Sequence, residues 1–252
     1  MIDTHCHLDI EDYEDVEQVI KNMNGNIMIA SGYDFNSSKR VIDLVNNYDN
    51  IYGTIGIHPN EYDSMNNETL KYIEENLSNK KIVGIGEIGL DYYWDTDHKE
   101  LQREYFIKQI CLAKKYNKVI VIHSREAAQD TYDILKEHLN GNKCVMHCYS
   151  YSLEMAKAYK KLGVKFGIGG VLTFKNSSKL KEVVEYLDLE DILLETDSPY
   201  LSPEPFRGKT NEPKNVEIVA EKIAELKGIS KEKVLSKTTE NASLLFDLKP
   251  QK

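Results

Sequence analysis

Two histidines separated by a single residue, His5 and His7, lie in the first apolar segment of the chain. Side chains of a β-strand alternate between its two faces, so both imidazoles project from one face while Cys6 projects from the other. Neutral imidazole is a good ligand for zinc and for several other divalent ions. The pair alone is a weak indication, and a metal site requires further ligands from later segments.

Further residues of ligand type come at the ends of later apolar segments. They are Glu87, His123, His147 and Asp197. Each one alone has a structural explanation, such as a helix cap or a hydrogen-bonded histidine, but their recurrence at the ends of different segments favours a shared site. Four histidines and two carboxylates are enough ligands for two divalent ions. Two-metal sites suit hydrolysis, because the attacking and the leaving oxygen are both stabilised.

The elements that must position these ligands alternate along the chain. Strand candidates cover residues 1–7, 26–31, 51–57, 82–87, 119–123, 144–147, 164–168 and 192–197. Helix candidates follow them at residues 13–22, after an N-cap at Asn36, and at 68–77, 99–116, 125–139, 153–162, 180–187, 216–226 and 231–246. Eight apolar strands, each followed by a helix, predict an α/β protein: a single-domain (β/α)8 TIM-type barrel over residues 1–252 with an extra C-terminal helix. In a barrel the carboxyl ends of the strands share the face that carries the active site; a doubly wound sheet is the alternative.

The composition is that of a soluble protein with a large core, since 41% of the 252 residues are hydrophobic and 29% are charged. No apolar run approaches the ~20 residues of a membrane span, and the N-terminus lacks a signal pattern, which predicts a cytoplasmic protein. The cysteines form no C-x-x-C pair; they are Cys6, Cys111, Cys144 and Cys148. We therefore expect reduced thiols, with Cys144 and Cys148 in the core rather than on a metal.

The formal net charge of −9 argues against a protein that coats duplex nucleic acid through a basic face. It does not exclude an enzyme that binds phosphates locally. Glu87 and Asp197 would bring two negative charges to two divalent ions, so the pocket would be positive inside an acidic protein. Such a pocket attracts anionic substrates, above all phosphates.

The same residues belong to motifs that resemble those of the TatD family of metal-dependent deoxyribonucleases. The motifs are DTHCHL at 3–8, GIHP at 56–59, GEIGLD at 86–91, IHSREA at 122–127, HCYS at 147–150, ETDSPYL at 195–201 and RGKTNEP at 207–213. They come in family order and extend over nearly the whole chain. The resemblance implies a barrel of the amidohydrolase-like superfamily that hydrolyses phosphodiester bonds of DNA.

The resemblance also implies how two metal ions would be held. One ion would be bound by His5, His7, Glu87 and Asp197, and the other by Glu87, His123 and His147, so that Glu87 bridges the two. The chain departs from the family after His147-Cys148, where Phe-Ser-Gly is usual and Tyr149-Ser150-Tyr151 stands here. That loop lies beside the implied site, so the departure bears on substrate preference more than on the metals.

A mechanism follows as a hypothesis, in which a hydroxide activated by both metals attacks phosphorus and Asp197 accepts its proton. Arg125, Arg207 and Lys209 are candidates to hold neighbouring phosphates. Equally, Arg125 could form a salt bridge at the start of a helix, and the other two could lie in a solvated loop. His58 could contact the scissile phosphate or make a structural hydrogen bond beside Pro59.

Three aromatic residues, Tyr92, Tyr93 and Trp94, follow the GEIGLD motif on a predicted loop over the barrel mouth. They could stack on the bases of a single strand or pack on the rim of the barrel. A narrow pocket with few basic residues favours strand ends and single strands over duplex interiors. We therefore expect a 3′-exonuclease whose partner is DNA bound locally at the active site, with no membrane and no obligate protein partner.

Two other classes of function stay open. One is an amidohydrolase-type hydrolase of small esters, amides or phosphoesters, including a deacylase of mischarged transfer RNA. A small neutral substrate would give no reason for the predicted phosphate-binding side chains. The other is a metal-binding scaffold without activity, which would require a metal site closed to water. Histidine-rich ligation suits zinc or manganese, whereas magnesium prefers oxygen ligands.

Overall fold

A computed structural model describes residues 1–248 of the chain. Within that range lie eight β-strands: β1 (Ile2–Cys6), β2 (Ile27–Ser31), β3 (Ile51–Ile55), β4 (Ile82–Asp91), β5 (Val119–Arg125), β6 (Cys144–Met146), β7 (Lys165–Ile168) and β8 (Ile192–Leu194). The α-helices are α1 (Val16–Asn22), α2 (Phe35–Asn47), α3 (Asn67–Asn76), α4 (Lys99–Tyr116), α5 (Ala128–His138), α6 (Leu153–Lys161), α7 (Ser178–Tyr186), α8 (Val216–Lys227) and α9 (Lys231–Phe246). Short 3-10 helices cover Tyr62–Ser64, Gly170–Thr173, Leu189–Asp191 and Pro213–Asn215.

The strands form one sheet in which their spatial order follows the order of the chain, from β1 to β8. Just after β8, Ser198 forms a parallel bridge with Cys6 of β1, so the last strand returns to the first. A doubly wound sheet would reverse its strand order, and this sheet does not. The predicted (β/α)8 topology with an extra C-terminal helix, α9, is therefore confirmed.

By residue proximity the chain divides into two compact units. Unit 1 comprises residues 1–30, 147–157 and 165 onward, and unit 2 comprises residues 31–146 and 158–164. The expectation of a single domain over 1–252 stays a prediction, and its last four residues lie outside the described range.

Unit 1 contains β1, β7 and β8 with the helices that close the chain. On α8, Val216, Val219 and Ile223 are fully buried at helical spacing, which explains why this segment folds as an amphipathic helix. From α9, the Asn241 amide donates to the carbonyl oxygens of Leu189 (2.7 Å) and Ile192 (2.9 Å). A buried side chain thereby fixes the start of β8.

Unit 2 contains β3 to β6 with α2 to α5, and its strands are almost continuously buried. Two buried glutamines stand two turns apart on α4 and so share one face of the helix. Gln102 accepts from the backbone N–H of Asp91 (2.9 Å) and donates to its carbonyl (3.1 Å). Gln109 makes the same pair of bonds to Ile57, at 2.8 and 3.1 Å. α4 thus holds the carboxyl end of β4 and the residue before His58.

Several element ends differ from the prediction. β4 continues to Asp91 and β5 to Arg125, both beyond the predicted ends, because the two strands pair as far as Asp91 opposite Arg125. β6 and β8 are shorter than predicted, so the candidate ligands His147 and Asp197 lie just after their strands. Within residues 1–248, no helix combines the length and the apolar character that a membrane span needs.

Candidate metal centre

The first group of predicted ligands lies in unit 1, and we call His5, His7, His147 and Asp197 the β1/β8 group. Ligand atoms of His5, His147 and Asp197 all lie within 4.8 Å of one another. Asp197 Oδ1 is 3.6 Å from His5 Nε2 and 3.4 Å from His7 Nε2. The imidazoles of His5 and His147 stack with their centroids 3.9 Å apart. Three imidazoles therefore surround one carboxylate.

Backbone pairing between β1 and the segment after β8 sets this arrangement. The N–H of Asp197 donates to the His5 carbonyl (3.0 Å), and the N–H of His7 donates to the Ser198 carbonyl (2.7 Å). Asp3 is fully buried, and its carboxylate accepts from the hydroxyl (2.6 Å) and the N–H (3.0 Å) of Thr196. Asp3 is thus a buried link that holds the residue before Asp197 against β1.

The electrostatics of Asp197 follow from these neighbours. Burial acts to raise the pKa of Asp197, but a hydrogen bond from His7 and the charges of His147, His5 and His7 outweigh it. The net direction is a pKa below the ordinary value for an aspartate. Asp197 is therefore an ionised carboxylate at neutral pH.

Glu195 is a member of this region that the sequence analysis did not single out. The side chain is only 1% exposed, and its Oε1 accepts from the N–H of Cys148 (2.5 Å) and lies 3.6 Å from Nδ1 of His147. Gly167 makes room for it, because a Cβ there would collide with Glu195 Oε2. The carboxylate therefore lies where it can orient the His147 ring.

The second group lies in unit 2, and we call His58, Glu87, Asp91 and His123 the β4/β5 group. Glu87 Oε1 is 2.7 Å from His123 Nδ1, and Asp91 Oδ2 is 2.9 Å from His123 Nε2. His58 Nε2 is 3.7 Å from Glu87 Oε1, and the two imidazoles meet edge to face at 4.3 Å. One histidine ring therefore lies between two carboxylates.

Gly89 explains how β4 accommodates that ring. Glu87, Gly89 and Asp91 share one face of the strand, and Gly89 pairs in register with His123. Gly89 has a positive φ of 148°, and a Cβ built on it would collide with the His123 carbonyl oxygen. A glycine between the two acidic residues lets β4 and β5 approach closely enough for both carboxylates to reach one imidazole.

Asp91 was also missed by the sequence analysis, which ended the strand at Glu87. Burial acts to raise the pKa of Asp91, but the hydrogen bond from His123 and the charge on that ring outweigh it and lower the pKa. The signal was present in the sequence, because Ile88 and Leu90 alternate with Glu87, Gly89 and Asp91 as a continuing strand would.

The predicted phosphate-binding residues occupy different settings. Arg125 is exposed at the end of β5, not at the start of a helix as one alternative had it, and its guanidinium lies 3.8 Å from the Tyr93 ring centroid. Arg207 lies over Phe174 at 4.5 Å, and Lys209 lies 6.0 Å from the ring centre of Phe206. His58 Nδ1 accepts from the N–H of Asn60 (3.2 Å).

The loop that departs from the family motif begins with a buried residue. Tyr149 packs edge to face on Phe166, with centroids 5.1 Å apart, and its hydroxyl donates to the carbonyl of Ser152 (2.8 Å). The Tyr149 side chain is therefore part of the packing of unit 1, and the hydroxyl that distinguishes it from phenylalanine is satisfied inside the loop.

The donor chemistry of both groups suits a divalent cation. Imidazole nitrogen together with carboxylate oxygen is the ligand set of zinc and manganese sites. In unit 1, Glu195 Oε2 is buried and has no hydrogen-bond donor among residues 1–248. A buried carboxylate oxygen without a donor is costly unless a positive charge compensates it. The fold and these clusters together are those of a metal-binding protein on a (β/α)8 scaffold.

Comparison with known proteins places the chain in a family of metal-dependent hydrolases. The sequence profile of the family described as "TatD related DNase" matches residues 2–247. An uncharacterized metal-dependent hydrolase, YabD of Bacillus subtilis (strain 168), is 44% identical, with 98% of each chain covered. The crystal structure of YjjV, a TatD homolog from Escherichia coli K12, superposes with a TM-score of 0.91 at 29% identity, covering 99% of this chain and 98% of that one. This chain belongs to the TatD family of metal-dependent hydrolases.

A more distant structure shows the same fold. An uncharacterized amidohydrolase from Saccharomyces cerevisiae superposes with a TM-score of 0.82 at 19% identity, over 97% of this chain and 99% of that one. At such low identity the likeness concerns the fold alone. It agrees with the predicted barrel fold.

Proposed function

We propose that the protein is a divalent-metal-dependent deoxyribonuclease that shortens single-stranded DNA from its 3′ end. The observation that carries this proposal is the presence of two compact groups of imidazoles and carboxylates, at or just after the carboxyl ends of the strands, in a chain of this family. Active sites of barrel enzymes lie at those strand ends. A cytoplasmic location is part of the same proposal.

Each group would hold one of two cations. From the contacts within each unit, His5, His147 and Asp197 would ligate one ion, and Glu87 with His123 would ligate the other. The placement of His7 on the first ion and of His147 on the second, which the family resemblance implies, stays a prediction. The bridging of both ions by Glu87 stays a prediction. A bound divalent cation supplies Lewis acidity for the water and for the phosphoryl oxygens.

The side chains of the chain itself supply the remaining functions. Asp197, held ionised by its histidine neighbours, is the group that accepts the proton of the attacking water. Arg125, Arg207 and Lys209 would contact phosphates that flank the scissile bond, since guanidinium groups bind phosphate oxygens in a bidentate manner and an ammonium group binds them as a point charge. Glu195 and Asp91 orient His147 and His123, respectively.

Preference for single strands and for ends is supported by the charge of the protein. A net charge of −9 gives little attraction to a long duplex, whose binding depends on many phosphate contacts. A strand end offers a few phosphates that a small number of cationic side chains can hold.

The experiment is a cleavage assay on metal-stripped protein with single-stranded DNA labelled at either end. Magnesium, manganese and zinc are added back one at a time, and Asp197→Asn is assayed in parallel. We expect a ladder that shortens from the 3′ end with at least one metal and that is absent in the variant. The label that is lost first gives the polarity.

The outcome that contradicts the proposal is equally defined. If the protein binds two ions per chain but cleaves no DNA with any of the three metals, the nuclease proposal is wrong. Small esters, small amides and acylated transfer RNA are then the substrates to assay, because the same scaffold supports hydrolysis of each.

A further inference from the structure

A turn next to the β4/β5 group presents two aromatic rings to solvent. Tyr93 is 54% exposed and Trp94 is 68% exposed, and their rings meet at nearly a right angle with centroids 4.9 Å apart. A singly exposed ring is normal, whereas adjacent exposed rings form an apolar patch of the kind that marks binding sites.

The guanidinium of Arg125 completes this surface. It lies 3.8 Å from the ring centroid of Tyr93 and 5.5 Å from that of Trp94. Among residues 1–248, no carboxylate forms an ion pair with Arg125. The planar group can therefore rest on Tyr93 while its N–H donors stay available to an anion.

The turn is fixed by the same carboxylate that holds the histidine of the candidate metal centre. Asp91 Oδ1 accepts from the N–H groups of Tyr93 (3.0 Å) and Trp94 (3.2 Å), while its Oδ2 lies 2.9 Å from His123. The N–H of Tyr92 donates to the Arg125 carbonyl (2.9 Å), which ties the turn to β5. The surface is thus part of the framework of the candidate centre.

The position of Arg125 on β5 sets how far its side chain lies from the candidate metal ligand His123. Arg125 follows His123 by two residues on β5, so both side chains leave the same face of the strand. Two strand residues advance by about 7 Å, which is comparable to the backbone length of one nucleotide. A strand that places one phosphate at His123 can place the next at Arg125.

We infer that Tyr93, Trp94 and Arg125 form a binding surface for single-stranded nucleic acid. A base stacks on the free face of Trp94, and the Arg125 guanidinium contacts the adjoining phosphate. The inference rests on the proposed function for its substrate class. Stacking suits an acidic protein, because it binds bases of any sequence without requiring a large basic face.

The local charges permit this assignment. Lys99 lies over the ring of Tyr92 at 4.3 Å and adds a second positive charge beside the turn. The carboxylate of Asp95, the next acidic residue along the chain, is 2.6 Å from His98 and accepts from two backbone N–H groups. Its negative charge is therefore largely compensated within its own turn.

The test uses the fact that Trp94 is the only tryptophan of the chain. Its emission is recorded during titration of metal-stripped, full-length protein with an oligothymidylate of eight nucleotides. An oligomer of the same length and charge without bases, and a duplex of the same length, are titrated in parallel. We expect saturable quenching by the oligothymidylate and little change with the other two.

Substitutions then measure each contribution through the anisotropy of a labelled oligothymidylate. Trp94→Ala is expected to weaken binding about 5- to 150-fold, the effect of losing one base stack. Arg125→Gln should also weaken binding of the oligothymidylate, most strongly at low salt. Arg125→Lys keeps the charge and should weaken binding less than Arg125→Gln does. The matched control is Tyr186→Ala. Tyr186, at the end of α7, is also an exposed ring with a cation over it, since Lys157 Nζ lies 5.3 Å from its ring centroid.

The inference is overturned if the oligothymidylate leaves Trp94 emission unchanged, or if Trp94→Ala and Tyr186→Ala bind it equally well. Cleavage of DNA by a Trp94→Ala variant at the wild-type rate and affinity would overturn the surface while the nuclease stands. Quenching of Trp94 by a protein that cleaves nothing would support the surface and contradict the nuclease.

Discussion

The two ligand groups differ in the ratio of carboxylate to imidazole. In the β4/β5 group, the ring of His123 has a carboxylate at each nitrogen, so its hydrogen bonds are complete without an ion. In the β1/β8 group, three imidazoles surround Asp197, and two of them, His5 and His147, stack on each other at 3.9 Å. In one group each nitrogen of the central ring already has a carboxylate partner, and in the other three imidazoles share one carboxylate.

The difference indicates how each group is held in shape before a metal binds. Charge pairing positions the side chains of the β4/β5 group, together with the close strand approach at Gly89. Backbone pairing of β1 with the segment after β8, reinforced by the buried Asp3, positions the β1/β8 group. A cation should therefore stabilise the β1/β8 group more, because three imidazoles there share the single carboxylate of Asp197, at 3.4 Å or more, whereas His123 has a carboxylate within 2.9 Å of each nitrogen.

The largest effect is expected for Asp197→Asn, which removes the only carboxylate from the β1/β8 ligands. Under the proposed function the variant should retain one bound ion where the wild type retains two, and turnover should fall at least about 100-fold, since the proposed proton acceptor is lost as well. Bound zinc per chain after dialysis, measured by atomic absorption, checks the first expectation. Asp191→Asn, at the residue just before β8, is the control and should bind both ions. Two ions bound by Asp197→Asn would show that the carboxylate is dispensable to the group.

The next effect concerns the strand approach that builds the β4/β5 group. Gly89→Ala places a Cβ against the His123 carbonyl at a positive φ, and should lower the free energy of unfolding by about 1–3 kcal/mol in urea denaturation. Gly141→Ala has a positive φ but nothing within 4 Å of the added Cβ, so it isolates the cost of backbone strain. Equal losses in the two variants would mean that β4 can move away from β5 without cost.

Much of the fold could be predicted from local patterns. The long amphipathic segments 99–116 and 231–246 were predicted with the ends that α4 and α9 have. The N-cap of α2 was wrong by two residues: Asp34, not Asn36, begins the helix, because Asp34 accepts from Ser37 N–H (2.6 Å) in a reciprocal capping box. That signal, an acid followed three residues later by serine, was available in the sequence.

The residues of the candidate site could be predicted only where the sequence pattern of one strand alone indicates them. The six candidate ligands were found because each stands at the end of an apolar run. Arg125 was misplaced because β5 is extended by its pairing with β4, and a pairing partner 34 residues away is not visible in a local pattern. For Asp91 the alternation of a continuing strand was visible and was not used. Glu195 was read as strand interior, whereas β8 ends one residue before it. Residues that orient ligands are defined by contacts, and contacts are what a local pattern lacks.

A smaller effect is expected for Asp91→Asn, which leaves every predicted ligand in place. Losing the carboxylate that orients His123 should weaken the ion of the β4/β5 group about 10- to 100-fold. The ion of the β1/β8 group should bind as before. Competition with a chelator of known affinity separates the two binding steps. Asp95→Asn, in the adjacent turn, is the control, and a loss as large in that variant would trace the effect to the turn and not to His123.

The smallest effect is a pH dependence in the metal-free protein. The pKa of Asp91 is lowered in the folded state from its ordinary value of 3.8, against the opposing effect of burial, by the bond and charge of His123. A carboxyl group with a lowered folded pKa stabilises the fold above its unfolded pKa, and that contribution is lost as the pH falls through the folded pKa. The free energy of unfolding of the wild type should therefore fall as the pH drops below about 4, and less steeply in Asp91→Asn. Urea denaturation across this range, with chelator present, measures both slopes. Equal slopes would mean that His123 does not favour the ionised Asp91, and the β4/β5 group would then need a cation as much as the β1/β8 group does.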